Sequence, residues 1–226
     1  MRPCPLCESR ATGIFLDKLD DVGSAQRRRV YGKCSNCRLI FVFPECHVSF
    51  SEEKSRYDKH QNNLAQEGYV KFLEGLLDPL LLKLRPGARG LDFGCGPVPA
   101  IEMILKPRGF TVASYDPYYF PREDFLHGPF DFVIGSEVVE HFRFPRKAFL
   151  DLNGLLATQE SYLAVMTSVL DREAGFEGWW YRRDLTHVCF YQKETFDWIA
   201  QWFGWSVEYP RENVIIYSKG NKYCVT

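Results

Sequence analysis

The chain has 226 residues, a formal charge of −1 and eight cysteines. That length suits one medium α/β domain with room for a small appendage, and a composition 46% hydrophobic and 15% aromatic supplies a buried core, which excludes disordered and fibrous classes. A pI near 6.5 gives no global pull toward nucleic acid or an anionic membrane.

The opening Met1-Arg2-Pro3-Cys4 has no apolar stretch of the kind that leads a secreted chain. Apolar runs such as Leu39–Phe43 and Phe132–Ile134 are strand-sized, far below the roughly 18 residues of a membrane span. The expectation is a cytoplasmic protein with no membrane partner. In a reducing compartment the cysteines are read as metal ligands, catalytic groups or packing rather than as a disulfide framework.

Four of them form two pairs, Cys4-Pro5-Leu6-Cys7 and Cys34-Ser35-Asn36-Cys37, with 26 residues between the pairs. A tetrahedral zinc ion wants four soft ligands, and a two-residue spacer lets one tight turn offer two sulfurs to the same ion. The spacing predicts a zinc ribbon over residues 1–50, with strands at Val30–Lys33 and Leu39–Phe43 and a structural, closed metal site at Cys4, Cys7, Cys34 and Cys37. Cys46 and His47 lack such spacing and are read as surface or packing residues. Residues 1–60 carry 11 Lys and Arg against 8 Asp and Glu, the remainder 17 against 21. The run Arg27-Arg28-Arg29 is read as a solvated hairpin edge kept from pairing by its charge; contact with RNA is the less favoured alternative.

Residues 51–86 are polar at first and then helical, a linker and lid region. Val70, Leu73, Leu76, Leu77, Leu80, Leu81 and Leu84 have helical spacing, which predicts a helix over 67–84 kinked or restarted at Pro79. Tyr57, His60 and Tyr69 are candidates to cover a pocket. From residue 87 to 226 strand and helix alternate: strands at 90–93, 110–115, 130–134 and 161–167, helices at 100–106, 146–156 and 193–203, then two closely spaced strands at 206–209 and 214–218. Repeated βα units predict a doubly wound, mostly parallel Rossmann-like sheet with an antiparallel pair at one edge.

The first strand-to-helix turn reads Leu91-Asp92-Phe93-Gly94-Cys95-Gly96-Pro97-Val98-Pro99, at the place where such sheets bind ligands. It is a poor dinucleotide fingerprint. The sixth position is Pro99 instead of glycine or alanine, and Pro97 and Pro99 remove two N–H donors from the turn. An acid about 20 residues past the glycines, Asp116, suits a bidentate contact with ribose hydroxyls.

The pattern Asp-x-Gly-x-Gly resembles motif I of the class I S-adenosylmethionine (SAM) methyltransferases, with Val98 where that family often has a third glycine. The resemblance implies that Asp92 organises the amino-acid end of the cofactor, that Gly94, Cys95 and Gly96 admit it through their backbone, and that Asp116 binds its ribose. Phe130-Asp131-Phe132-Val133-Ile134-Gly135-Ser136-Glu137 is similar to the fourth-strand motif of the family, which implies that Ser136 and Glu137 line the cofactor pocket. His141 ends a Glu-x-x-Glu-His pattern similar to one in ubiquinone-pathway O-methyltransferases, where it holds a divalent metal. The pair is also common in members without metal, and a helix cap with a pocket-wall histidine is the favoured reading. Asp184-Leu185-Thr186-His187 resembles a segment near the acceptor in many small-molecule methyltransferases. It implies that His187 shapes or deprotonates the acceptor beside a wall of Trp179, Trp180 and Tyr181; the equal alternative is that Thr186 and His187 only fix a loop. Cys189 and Cys224 are read as packing.

The expectation is therefore a SAM-dependent methyltransferase with a structural zinc and a small-molecule acceptor, His187 and His141 being the candidate catalytic residues. Ribbons joined to this fold also occur in sugar C-methyltransferases, whose longer C-terminal domain is missing here. They occur too in ribosomal RNA guanine methyltransferases, whose cysteine spacing differs. RNA and a non-catalytic adaptor are the alternatives. Neither the acceptor atom nor the oligomeric state follows from the sequence.

Overall fold

The computed structural model describes residues 2–22, 25–59, 64–121 and 128–220; His60 and Cys224 lie outside them. Ten strands and five helices are present among the described residues. The N-terminal part is a hairpin of β1 (Thr12–Val22) and β2 (Ala25–Cys34) followed by β3 (Ile40–Val42). The sequence reading has strands at 30–33 and 39–43 and none at β1. The reason is visible in its composition: Ile14 and Leu19 of β1 are exposed and charges interrupt the alternation, so no period-2 apolar face marks it.

Helix α1 (Phe50–Tyr57) starts at a capping box, in which Ser49 accepts from the Glu52 backbone and Glu52 from the Ser49 backbone, satisfying two otherwise orphan N–H groups. Helix α2 (Glu67–Leu81) runs through Pro79 and stops three residues earlier than the leucine spacing predicts. Leu73, Leu76, Leu77 and Leu80 form its buried stripe.

The catalytic-size unit is β4 (Arg89–Phe93), α3 (Ala100–Leu105), β5 (Thr111–Tyr115), β6 (Phe132–Ser136), α4 (Pro145–Leu155), β7 (Ser161–Met166), β8 (Cys189–Phe190), α5 (Lys193–Phe203), β9 (Ser206–Arg211) and β10 (Val214–Lys219). Six of these strands form one sheet in the order β5-β4-β6-β7-β10-β9. The pairings β5–β4, β4–β6 and β6–β7 are parallel and β7–β10 and β10–β9 antiparallel, giving the mostly parallel sheet with an antiparallel edge. Alternate residues serve opposite faces. Val133, Leu163, Val165 and Ile215 pack toward α4, α5 and the hairpin, whereas Phe132, Ile134, Ala164 and Ile216 pack toward α2 and α3. Between β4 and β6 the chain reverses its direction of travel across the sheet, and the crevice above that point is where ligands bind in such folds.

The hairpin is joined to this unit by hydrogen bonds. The order of the second sheet is β1-β2-β3-β8, with Ile40 opposite Phe190 and Phe41 opposite Cys189. Tyr31, Leu39, Ile40 and Phe41 belong to the same buried cluster as Val133, Leu163 and Phe196. Phe190 sits at the junction, fully buried, with its ring 6.0 Å from Tyr31 and 5.2 Å from Phe176. Truncating a buried phenylalanine to alanine costs about 3–5 kcal/mol. Phe190→Ala is therefore expected to lower the unfolding free energy by that amount, read as a lower urea midpoint in a single transition seen alike by far-ultraviolet circular dichroism and tryptophan fluorescence.

Candidate active site

A cavity of about 770 Å³ opens above the carboxyl ends of β4, β5 and β6. Its floor is the glycine turn after β4. Gly94 and Gly96 adopt left-handed backbone, φ +80° and +68°, which glycine accepts without steric cost. A Cβ on Gly94 would lie 2.4 Å from Val138 Cγ2, so position 94 admits no side chain. Gly94 and Cys95 donate to the Tyr115 carbonyl, at 2.8 and 3.1 Å. Cys95 contributes backbone; burial pushes its thiol well above the usual range.

Asp116 stands opposite. Its Oδ2 accepts from Gly96 N at 3.1 Å, and its Oδ1 from Tyr118 N at 2.8 Å and Tyr119 N at 3.1 Å. The carboxylate thus ties the ends of β4 and β5 together and keeps lone pairs in reserve. Asp92 is 3% exposed and lines the cavity, yet no hydrogen-bond donor among the described residues reaches its carboxylate. Burial, with Asp116 and Glu102 nearby, pushes it up to about 8. A buried acid with no donor among the described residues, at the base of the glycine turn, fits a cationic group entering from the cavity.

Ser136 and Glu137 end β6 and line the same cavity. Glu137 holds φ at +51° and donates its N–H to the Met166 carbonyl at 2.7 Å. Such backbone costs about 1–3 kcal/mol and collects at functional sites. Behind it the Tyr181 hydroxyl lies between Glu137 Oε2, at 3.1 Å, and Glu140 Oε1, while Thr167 donates to Glu140 Oε2 at 3.0 Å. Burial raises both acids, Glu137 to about 7 and Glu140 to about 8.

His141 and His187 both line the cavity, their rings 4.8 Å apart. His141 Nδ1–H donates to the Thr186 carbonyl at 3.0 Å and His187 Nδ1–H to the Tyr181 carbonyl at 2.8 Å. A carbonyl only accepts, so in both rings the Nε2 lone pair is left free. Desolvation holds them neutral, at about 3 and about 4. Glu140, His141 and His187 have ligand atoms within 4.8 Å of one another, but the Glu140 oxygens are engaged by Tyr181 and Thr167, consistent with a pocket wall. Asp184 Oδ1 accepts from Thr186 N and Oγ1, at 2.9 and 2.7 Å, so this segment also fixes its own turn.

The expected aromatic wall of Trp179, Trp180 and Tyr181 does not face the cavity. Trp180 is exposed, Trp179 packs on Phe176 and Phe190, and Tyr181 is buried behind the two glutamates; the two 3-10 turns at 173–178 and 180–183 turn these rings away. The lining aromatics come from the lid side instead, Tyr57, Tyr69, Phe50 and Phe72, with Tyr118 and Phe144. Sequence reasoning also missed Glu53 and Arg143. Glu53 is buried, accepts from Tyr57 Oη at 2.9 Å and pairs with Arg143 at 2.6 Å. The Ser49/Glu52 cap could have revealed it, since a helix from residue 50 puts positions 53 and 57 on one face.

At the other end of the hairpin the four paired cysteines converge. Cys4 N donates to Ser9 O and Glu8 N to Cys4 O; Cys34 N donates to Leu39 O and Arg38 N to Cys34 O. Both turns end in a left-handed residue, Glu8 at +59° and Arg38 at +64°. The two knuckles are thus copies of one another. Cys4 Sγ is 3.5 Å from Cys37 Sγ, Cys7 Sγ 3.5 Å from Cys34 Sγ, and all four lie within 4.8 Å. Sulfurs about 2.3 Å from a tetrahedral ion stand about 3.8 Å apart, so the set fits zinc. Cys46 and Cys189 are free thiols outside it.

The profile of a family described as "Methyltransferase domain" matches residues 57–209. No curated protein matches the sequence. A solved protein of Pyrococcus horikoshii OT3 aligns at 15% identity and a TM-score of 0.51, over 74% of this chain and 98% of its own; this likeness is one of fold. A SAM-dependent methyltransferase of Thermotoga maritima, described as a possible histamine N-methyltransferase, aligns at 16% identity and a TM-score of 0.41, over 75% of this chain and 96% of its own. A putative methyltransferase of Bacillus halodurans aligns at 17% and 0.47, over 59% and 67%.

Asp92 sets a pH signature. Between its unfolded value of 3.8 and about 8 the native state binds the proton and the unfolded state does not, so stability falls as pH rises through that window. In Asp92→Asn the decline in urea midpoint between pH 5 and 8 is expected to flatten. His141 and His187 act oppositely, since an unfolded histidine charges below 6.5 and these do not.

Proposed function

The chain belongs to the methyltransferase-domain family, and from the site it carries we propose that it moves a methyl group from SAM to a small-molecule acceptor, with one structural zinc ion held by Cys4, Cys7, Cys34 and Cys37. The observation that carries this reading is the buried Asp92 beneath the glycine turn, to which no described residue donates, facing Asp116 across one cavity. Asp92 and the backbone of Gly94–Gly96 would take the amino-acid end, Asp116 the ribose hydroxyls, and Ser136 and Glu137 the wall beyond them. The bound cofactor supplies an electrophilic methyl group on a sulfonium. The lid aromatics exclude water and Tyr57 packs edge-on against His141, ring centroids 5.3 Å apart, which favours a near-attack arrangement. Where the acceptor sheds a proton, His187 or His141 takes it at Nε2.

A small acceptor is preferred to RNA on the fate of the arginine run. Arg27 pairs with Glu52, Arg28 with Asp17 at two points, and Arg29 is 1% exposed. No free cationic strip remains there to meet phosphates. The exposed rings of Phe50 and Phe144 at the cavity mouth suit an apolar or aromatic acceptor. No helix among the described residues is long and apolar enough to cross a membrane.

Calorimetry with SAM and its demethylated product, S-adenosylhomocysteine, tests the reading. Both are expected to bind one per chain, and Asp116→Ala to weaken them about tenfold or more, a loss of two charge-assisted hydrogen bonds. Absence of binding to the wild-type chain would leave the adaptor reading standing. Elemental analysis is expected to return one zinc per chain, and Cys34→Ser to lose the metal and lower the thermal midpoint together.

A further inference from the structure

We propose that Arg29, on the cysteine hairpin, is a positioning residue for methyl transfer: its guanidinium grips the backbone of residues 182–187 and thereby fixes the imidazole of His187. The role in transfer rests on the methyltransferase reading; the grip itself does not.

Arg29 lies on β2, the second strand of its sheet, and not on a solvated edge as the arginine run suggests. Its Nη1 donates to the Arg182 carbonyl and, at 3.1 Å, to the Asp184 carbonyl; its Nη2 donates to the His187 carbonyl at 2.6 Å. Its Nε is buried without a partner. Among the described residues no carboxylate hydrogen-bonds it: Asp20 is paired with Arg182, and Asp184 accepts from Thr186 and Arg56. Burying a cation on three carbonyls and the face of Tyr31, 5.2 Å from its ring centroid, is costly against an apolar side chain of the same volume. All three carbonyls belong to one irregular segment that enters regular pairing only at Cys189. Because the fork is planar and rigid, residues 182, 184 and 187 keep one spacing. The bond from His187 Nδ1–H to the Tyr181 carbonyl spans that same segment, so the guanidinium holds the ring with Nε2 free. The charged and titratable groups that face His187 are Asp184, Arg29 and Arg56, with His141 and Tyr181 in ring contact.

The test uses the full chain labelled with ¹⁵N-histidine, His187 being assigned by its absence in His187→Gln. In Arg29→Met the Nδ1–H tautomer of His187 is expected to give way to a mixture of tautomers. Affinity for S-adenosylhomocysteine, the folded-state control, is expected to stay within about twofold. Arg29→Lys, which keeps the charge and loses the fork, should fall between; if Arg29→Met does not fold, this variant decides by the same criteria. Unchanged His187 resonances in a variant that folds overturn the proposal. If no protein binds S-adenosylhomocysteine, the methyltransferase reading falls, while the His187 tautomer still decides whether Arg29 is the clamp.

Discussion

Two rungs of antiparallel pairing, Ile40 with Phe190 and Phe41 with Cys189, make the cysteine hairpin and the α/β sheet one body. Backbone N–H and C=O groups at the edge of a three-stranded hairpin need partners, and here β8 supplies them. β8 begins two residues after His187. The pairing that closes the hairpin therefore also anchors the segment that bears one of the two cavity histidines. From the opposite side the Val188 N–H donates to the Glu140 carbonyl at 2.8 Å, so residues 186–190 bridge the hairpin and the end of β6. The first knuckle is tied in as well: Arg146 on α4 donates to the carbonyls of Pro5 and Leu6 and pairs with Glu8. A metal in that knuckle would stiffen the frame that carries the pocket wall.

The parts of this arrangement that were legible in the sequence are those governed by local period and local geometry. The βα alternation, the helix over 193–203, the glycine turn with Asp116 and the twin cysteine knuckles each depend on residues close in the chain or on a spacing that one ligand imposes. What was not legible depends on partners far away. Arg29 reads as one of three surface arginines, and only the arrival of residues 182–187, more than 150 positions later, buries it. The tryptophans at 179 and 180 read as a pocket wall from their proximity to His187, but two 3-10 turns redirect them. Glu53 is an unremarkable acid on a polar helix until Arg143 and Tyr118 close on it.

The cavity is sorted by charge as well as by shape. On the glycine side the buried acids Asp92 and Asp116 face a space that a cation would fill. On the lid side Glu53 is already neutralised by Arg143, and the rings around it are apolar or weakly polar. A ligand with its positive charge at one end and its reacting group in the middle is thereby oriented before any contact specific to the acceptor. The same low-dielectric setting keeps both histidines uncharged, so a cation entering the cavity meets acids and not imidazolium.

Hydrogen counting around Tyr181 fixes one further property of the wall. Its hydroxyl carries a single hydrogen yet touches carboxyl oxygens of both Glu137 and Glu140, and the Thr167 hydroxyl, also with one hydrogen, touches Glu140 and Tyr181. If both acids were ionised, one of the two contacts to Tyr181 would set a lone pair against a lone pair in a buried site, which is strongly unfavourable. One proton shared by the acids removes the conflict: whichever carboxyl keeps it donates to the tyrosine oxygen, and the tyrosine donates to the other. Burial of both acids drives their affinity for that proton the same way. Glu137 alone of this group lines the cavity, held there by a left-handed backbone at the carboxyl end of β6. The strained residue is thus the one member of this hydrogen-bonded group that meets the ligand space.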